Sequence, residues 1–249
     1  MYLFLFLNTL IAISALDESR VYSGNDISPT DQGYLVVLFI ATGKDDPVRK
    51  CSGSMISSNW IITAAHCLPA EKPIKLILVR QQNKKVQRTL GRVKPINDHK
   101  HPTYIQGNNS IANSGYDIAL LKTSKPLVFD DYAKAIDPAR VSPRNNQWAI
   151  IAGYGQNELG KSFPRQSAVK VSKCFFDNSG RLLCSNSKVK SGHGDSGRAL
   201  TLNGKLIGVV SGVAKYNCEE TNPNLSCITI YANVAAHYMW IKNVTGFKK

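Results

Sequence analysis

Apolar residues along this chain come in short runs, each closed by Gly, Pro, Asn or Ser. That punctuation is how antiparallel β-proteins read. It predicts strands over 34–42, 52–57, 60–63, 75–80, 118–122, 148–152, 205–213 and 227–233. Only 234–243 reads as a helix, with Ala235, Tyr238, Met239 and Ile241 near a 3.6-residue period. Residues 106–116, QGNNSIANSGY, form a polar loop, and 123–147 make a long proline-bearing connection between two halves. There is no internal repeat and no low-complexity tract. The reading is all-β.

The amino terminus breaks this pattern. Residues 1–15, MYLFLFLNTLIAISA, carry no charged side chain and end in Ser14 and Ala15, with Asp17-Glu18-Ser19-Arg20 following closely. The run is too short to span a bilayer and ends in small residues, so it is expected to be a secretory signal peptide rather than a buried strand. No later stretch is apolar enough to cross a membrane. The expected product is exported and soluble, with no membrane partner. Six cysteines suit that compartment: Cys51, Cys67, Cys174, Cys184, Cys218 and Cys227. An even count in an exported chain favours disulfides over free thiols. No Cys-x-x-Cys pair and no Cys/His cluster has metal spacing, so no metal is expected.

Charge adds one possibility. The formal net charge is +14, spread over bases such as Lys72, Arg80, Lys84, Lys85, Arg88, Arg92 and Lys188. Such a field attracts polyanions, acidic proteins among them, or serves solubility alone. No nucleic-acid module signature is present, so no specific nucleic-acid partner is expected.

Three segments carry candidate chemistry. A serine hydroxyl is a weak nucleophile until a base takes its proton, and the base works best when a buried carboxylate orients it. His66 lies in TAAHC (63–67), at the end of an apolar strand. Asp117 opens the buried run DIAL (117–120), where an unpaired charge would cost several kcal/mol. Ser196 sits among glycines in GDSG (194–197), where backbone N–H groups can point at a developing oxyanion.

Together with AGYG (152–155), VSG (210–212) and a terminal MWIKN (239–243), these motifs resemble the chymotrypsin- and trypsin-like serine peptidases over about residues 21–245. The resemblance implies two six-stranded antiparallel β-barrels with a C-terminal helix, roughly 21–125 and 126–249, after a signal peptide (1–15) and a short propeptide (16–20). It implies His66 as general base, Asp117 as its orienter and Ser196 as nucleophile, with the N–H groups of Gly194 and Ser196 as oxyanion hole. Ser211 would sit beside Asp117 and present backbone to substrate. No cofactor is implied, and the protein is expected to be a monomer.

Arg20-Val21-Tyr22-Ser23-Gly24 resembles a zymogen activation site. A trypsin-like protease cutting after Arg20 would free the Val21 amine to pair with Asp195. The family also implies bridges Cys51–Cys67 and Cys174–Cys184. Gly192 replaces the usual cysteine four residues before the nucleophile, so Cys218 and Cys227 are expected to pair locally.

The specificity pocket departs furthest. Lys190 stands at the expected pocket base, where members that cut after Lys or Arg carry Asp; an exposed loop lysine is the alternative. Val213 and Thr229 occupy wall positions that are often Gly. Together they predict cleavage of proteins or peptides after small or acidic residues. Gly212 replaces a common aromatic, and His193 precedes the oxyanion glycine, as a substrate contact or as rim. Arg198 follows Gly197 where a close-packed glycine is usual. Either an acid pairs with it or the loop is displaced, and a displaced loop would make the chain a catalytically inactive homologue that binds proteins or polyanions. Asn108, Asn224 and Asn243 open glycosylation sequons.

Overall fold

The computed structural model describes residues 25–27, 30–82, 87–154, 164–187, 196–214 and 227–247. The strands, in chain order, are β1 (Asn25–Asp26), β2 (Leu35–Ala41), β3 (Arg49–Met55), β4 (Trp60–Thr63), β5 (Leu76–Gln82), β6 (Gln87–Lys100) and β7 (Ala119–Thr123) in the first half. The second half holds β8 (Asp137–Pro138), β9 (Gln147–Gly153), β10 (Arg165–Lys173), β11 (Leu182–Ser187), β12 (Ala199–Leu202), β13 (Lys205–Ala214) and β14 (Cys227–Asn233).

β2-β3-β4-β7-β6-β5 close into one barrel. β10-β11-β14-β13-β12-β9 close into the second through the β9–β10 ladder, with β1 added to β10 and β8 running parallel on β13. Both barrels have six strands, as the family resemblance implied. One apolar cluster joins them: Val36, Leu38, Ile61 and Leu120 of the first barrel are continuous with Ala152, Val209 and Ala232 of the second. A separate core of Ile151, Val169, Val171, Leu183, Leu200 and Tyr231 fills the second barrel.

Six strands go beyond those expected, the two-residue β1 and β8 and four longer ones. β10 buries Ser167, Val169 and Val171 while exposing Ala168 and Lys170, an alternation that the polar residues around it obscure. β12 is four residues long, and β11 is apolar only at its start. β6 carries few apolar residues, yet ladders to β5 and β7 satisfy its backbone on both sides, with register shifts that absorb its irregular stretch. Within the expected polar loop, Ser110 Oγ accepts from Asn113 N at 3.2 Å and caps a single turn, α1 (Ile111–Ser114).

The expected C-terminal helix is a 3₁₀ turn (Ala235–His237) followed by α2 (Tyr238–Thr245). Gly246 ends it at φ 70°, its N–H donating to Lys242 O. α2 folds back onto the first barrel's cluster through Ile241, Trp240 and Val244. His237 Nε2 donates to Gly115 O at 2.6 Å, and the His101 ring lies 4.9 Å from His237, 5.0 Å from Tyr116 and 5.0 Å from Trp240. This seam braces the segment that leads into Asp117.

Burial, then the neighbouring His237 and Arg181, push His101 down from its ordinary 6.5 to about 4. Its Nδ1 accepts from Thr103 N at 3.2 Å, a bond that only the neutral ring can make. His237 is lowered too, chiefly by burial. The unfolded chain therefore binds more protons than the folded one between pH 6.5 and about 4. The contribution of these two histidines to stability is complete above 6.5 and is lost as pH falls through that window. The unfolding temperature is expected to drop across it, with a shallower slope in His101→Phe. An identical slope in the variant would remove His101 as a cause.

Candidate active site

β4 and β7 run antiparallel with Thr63 opposite Ala119, so the residues after β4 meet those before β7. That places His66, in a 3₁₀ turn over Ala65–Cys67, against Asp117. His66 Nδ1 lies 2.6 Å from Asp117 Oδ2, and the His66 backbone N donates to Oδ1 at 2.8 Å. A carboxylate only accepts, so Nδ1 carries the proton and Nε2 keeps its lone pair. The Asp117 side chain is 5% exposed and that of His66 is 31% exposed, which leaves the imidazole's far edge open.

The third donor comes from the other barrel. β13 shifts register on β14 between Val210 and Gly212, leaving Ser211 as the extra residue of a bulge. Bulges re-aim side chains, and here Ser211 Oγ donates to Asp117 Oδ2 at 2.7 Å. Burial, then the Asp117 charge, push the Tyr104 phenol up to about 12.

Ser196 is half-buried and anchored by backbone. Its carbonyl accepts from Ser52 N at 2.8 Å, Gly197 N donates to Val210 O at 3.0 Å, and Val210 N donates to Arg198 O at 2.9 Å. Ser52 follows Cys51, which is bridged to Cys67 beside His66 with a Cα–Cα distance of 6.2 Å. The serine and the histidine are thus tied to the same short piece of β3. The second expected bridge, Cys174–Cys184, is also formed.

Ser52 itself was not signalled by any motif. Fully buried, its carbonyl accepts from Thr63 Oγ1 at 2.7 Å and its Oγ accepts from Tyr154 N at 2.9 Å. It joins β3, the end of β4, the second barrel and the Ser196 loop. Gly197 packs into this junction at φ 79°, where a Cβ would collide with Ser52 O and Thr63 Oγ1. Gly197→Ala is expected to cost about 1–3 kcal/mol, the usual range for overpacking, read from the urea unfolding midpoint. An unchanged midpoint would mean that the junction yields easily.

Arg198 packs against β9 of the second barrel. It is 2% exposed, and its aliphatic stem lies over Gly153, where any Cβ would strike it. Its charge reaches Tyr231, whose phenol burial holds up at about 12 while Ser185, Thr229 and Arg198 pull it down. Sequence reasoning set a paired acid against a displaced loop and did not foresee the glycine one strand away that makes room for the stem.

Val213 and Thr229 stand opposite each other on β13 and β14, and Ser185 of β11 stands opposite Thr229. Among the described residues, none comes within 4 Å of where a Cβ on Gly212 would stand. Val21, Lys190, Gly192, His193, Gly194, Asp195, Cys218 and Asn224 lie outside the described residues. The Cys227 side chain does too. Asn108 and Asn243 are exposed. No group of three metal-ligating side chains occurs among the described residues, and no helix there is long and apolar enough to cross a membrane.

The trypsin family model matches residues 21–241. The chain belongs to the trypsin family. It is similar to trypsin delta of Drosophila melanogaster, 32% identical over 78% of this chain and 78% of that one. It is also similar to kallikrein-11 of Mus musculus, 28% identical over 91% of this chain and 83% of that one. Among solved structures, HL collagenase shares the fold with a TM-score of 0.71, at 23% identity over 91% of this chain and 99% of that one. This trypsin-family chain therefore has the serine-protease double barrel, with His66, Asp117 and Ser211 drawn together where the barrels meet.

Proposed function

We propose that this trypsin-family protein is a secreted serine endopeptidase made as a zymogen, which cleaves after small or acidic residues. The observation that carries the reading is the Asp117 carboxylate, which accepts from His66 N, His66 Nδ1 and Ser211 Oγ at once. That constellation fixes the imidazole's tautomer and leaves Nε2 basic, the arrangement a general base needs.

His66 Nε2 takes the Ser196 hydroxyl proton as Oγ attacks the scissile carbonyl. The N–H groups of Gly194 and Ser196 receive the oxyanion, each donor of this kind being worth about 2.7–4 kcal/mol. The imidazolium, stabilised by Asp117, returns its proton to the leaving amine. Water then repeats the sequence on the acyl-enzyme and frees Ser196. No cofactor takes part. Val213 and Thr229 narrow the specificity pocket, and Lys190 at its base favours carboxylate side chains over Lys or Arg. Cleavage after Arg20 frees Val21 to pair with Asp195.

A fluorophosphonate probe on protein beginning at Val21, beside Ser196→Ala, tests this reading. Labelling is expected in the parent chain and absent from the variant. A folded chain with a verified Val21 terminus and no labelling would leave a non-catalytic binding protein.

A further inference from the structure

On the second barrel, away from His66, Asp117 and Ser196, the segment after β8 borders two adjoining cavities of about 590 and 650 Å3. Pockets that bury small ligands usually span about 300–1,000 Å3. The first has apolar walls, including Pro138, Leu202 and Ile207, with Tyr238 and Phe247 from the C-terminal segment. The second shares the 140–144 wall and adds Lys173.

The rim is cationic. Across both linings stand Arg140, Arg144, Lys173 and Lys205 against one carboxylate, Asp137, which Lys205 already engages at 2.8 Å. Arg140, Arg144 and Lys173 are all exposed. Val141, between the two arginines' positions, is 79% exposed, an apolar side chain held at the mouth of a basic groove.

The wall is also held in place. Ser142 Oγ accepts from Asn233 Nδ2 at 2.8 Å, and Gln147 Oε1 accepts from Arg144 N at 2.7 Å. Lys173 N donates to Asn145 Oδ1 at 2.9 Å. The Arg140 guanidinium sits 5.4 Å over the Tyr238 ring. A groove ordered in this way costs little to pre-organise on binding.

We propose that this groove binds an acidic peptide segment that carries a large apolar side chain, the apolar group entering the first cavity and flanking carboxylates meeting Arg140, Arg144 and Lys173. Charge complementarity selects an anion, and the apolar floor selects a peptide over a sulfated glycan, whose hydroxyls would lose water against that floor with no hydrogen bonds in return. The proposal does not depend on the catalytic reading.

Fluorescence anisotropy of a fluorescein-labelled Glu-Glu-Phe-Glu-Glu-Leu peptide tests it, titrated with the full chain carrying Ser196→Ala so that the probe is not cut. Saturable binding is expected, weakened about tenfold or more by Arg140→Glu with Arg144→Glu, and similarly by Phe→Ala in the probe. Lys173→Glu, a single exposed change, gives a second reading should the double variant misfold. The proposal is overturned by no saturation up to about 1 mM, by affinity unchanged in the charge-reversed chains, or by a heparin hexasaccharide binding where the peptide does not.

Discussion

Asp117→Asn is expected to lower kcat about 10⁴-fold with the fold intact. The reason lies in which donors Asp117 serves. Oδ1 accepts from the main-chain N of His66, a donor that cannot reverse, whereas Oδ2 faces His66 Nδ1 and the Ser211 hydroxyl, both of which can turn acceptor. The amide of Asn therefore settles with its oxygen toward the backbone and its NH2 toward the ring. Nδ1 must then accept, the proton moves to Nε2, and the histidine can no longer take a proton from Ser196. Turnover of succinyl-Ala-Ala-Ala-p-nitroanilide by both chains, each beginning at Val21, reads this directly. A kcat within tenfold of the parent would remove Asp117 from the mechanism.

Opening the pocket is the second large effect. Val213 and Ser185 lie across from Thr229 on neighbouring strands, so the three side chains share one face of the second barrel. Thr229 is 2% exposed, and Val213 is half-buried. On the proposed specificity, replacing both by Gly removes the branched walls that would exclude bulky groups. The ratio of kcat/KM for a substrate with Phe before the cut to that with Ala is expected to rise about 10²-fold, within the reach of hydrophobic pocket contacts. Circular dichroism of the double variant checks that two glycines in adjacent strands leave the barrel formed. An unchanged ratio in a folded variant would show that these walls do not meet the substrate.

These two predictions draw on different parts of what was legible. The His66 and Asp117 motifs could be read because a histidine at a strand end and a carboxylate opening an apolar run are local departures from pattern. Ser52 could not be read, since a serine in a strand looks the same whether it faces solvent or four neighbours. The same holds for Arg198. Its stem has room because Gly153 lacks a side chain, and those two residues lie 45 positions apart in the chain.

The strands followed a similar division. β2, β4 and β7 are apolar throughout or nearly so, and their burial was visible in composition. β6 is a strand because two neighbours satisfy its backbone, and β10 because one of its faces found a core. Neither fact is local.

By itself, then, the sequence determined the all-β class, the motif residues and the even set of cysteines, each encoded within a few neighbouring positions. The placing of Ser211 beside Asp117 came only from the family resemblance, and only the tertiary structure showed that a bulge carries its hydroxyl there, that Ser52 clamps both barrels, and that the C-terminal helix packs on the first barrel. Each of these depends on a hydrogen-bond donor or an apolar face meeting its complement from a distant segment, and no local pattern records that meeting.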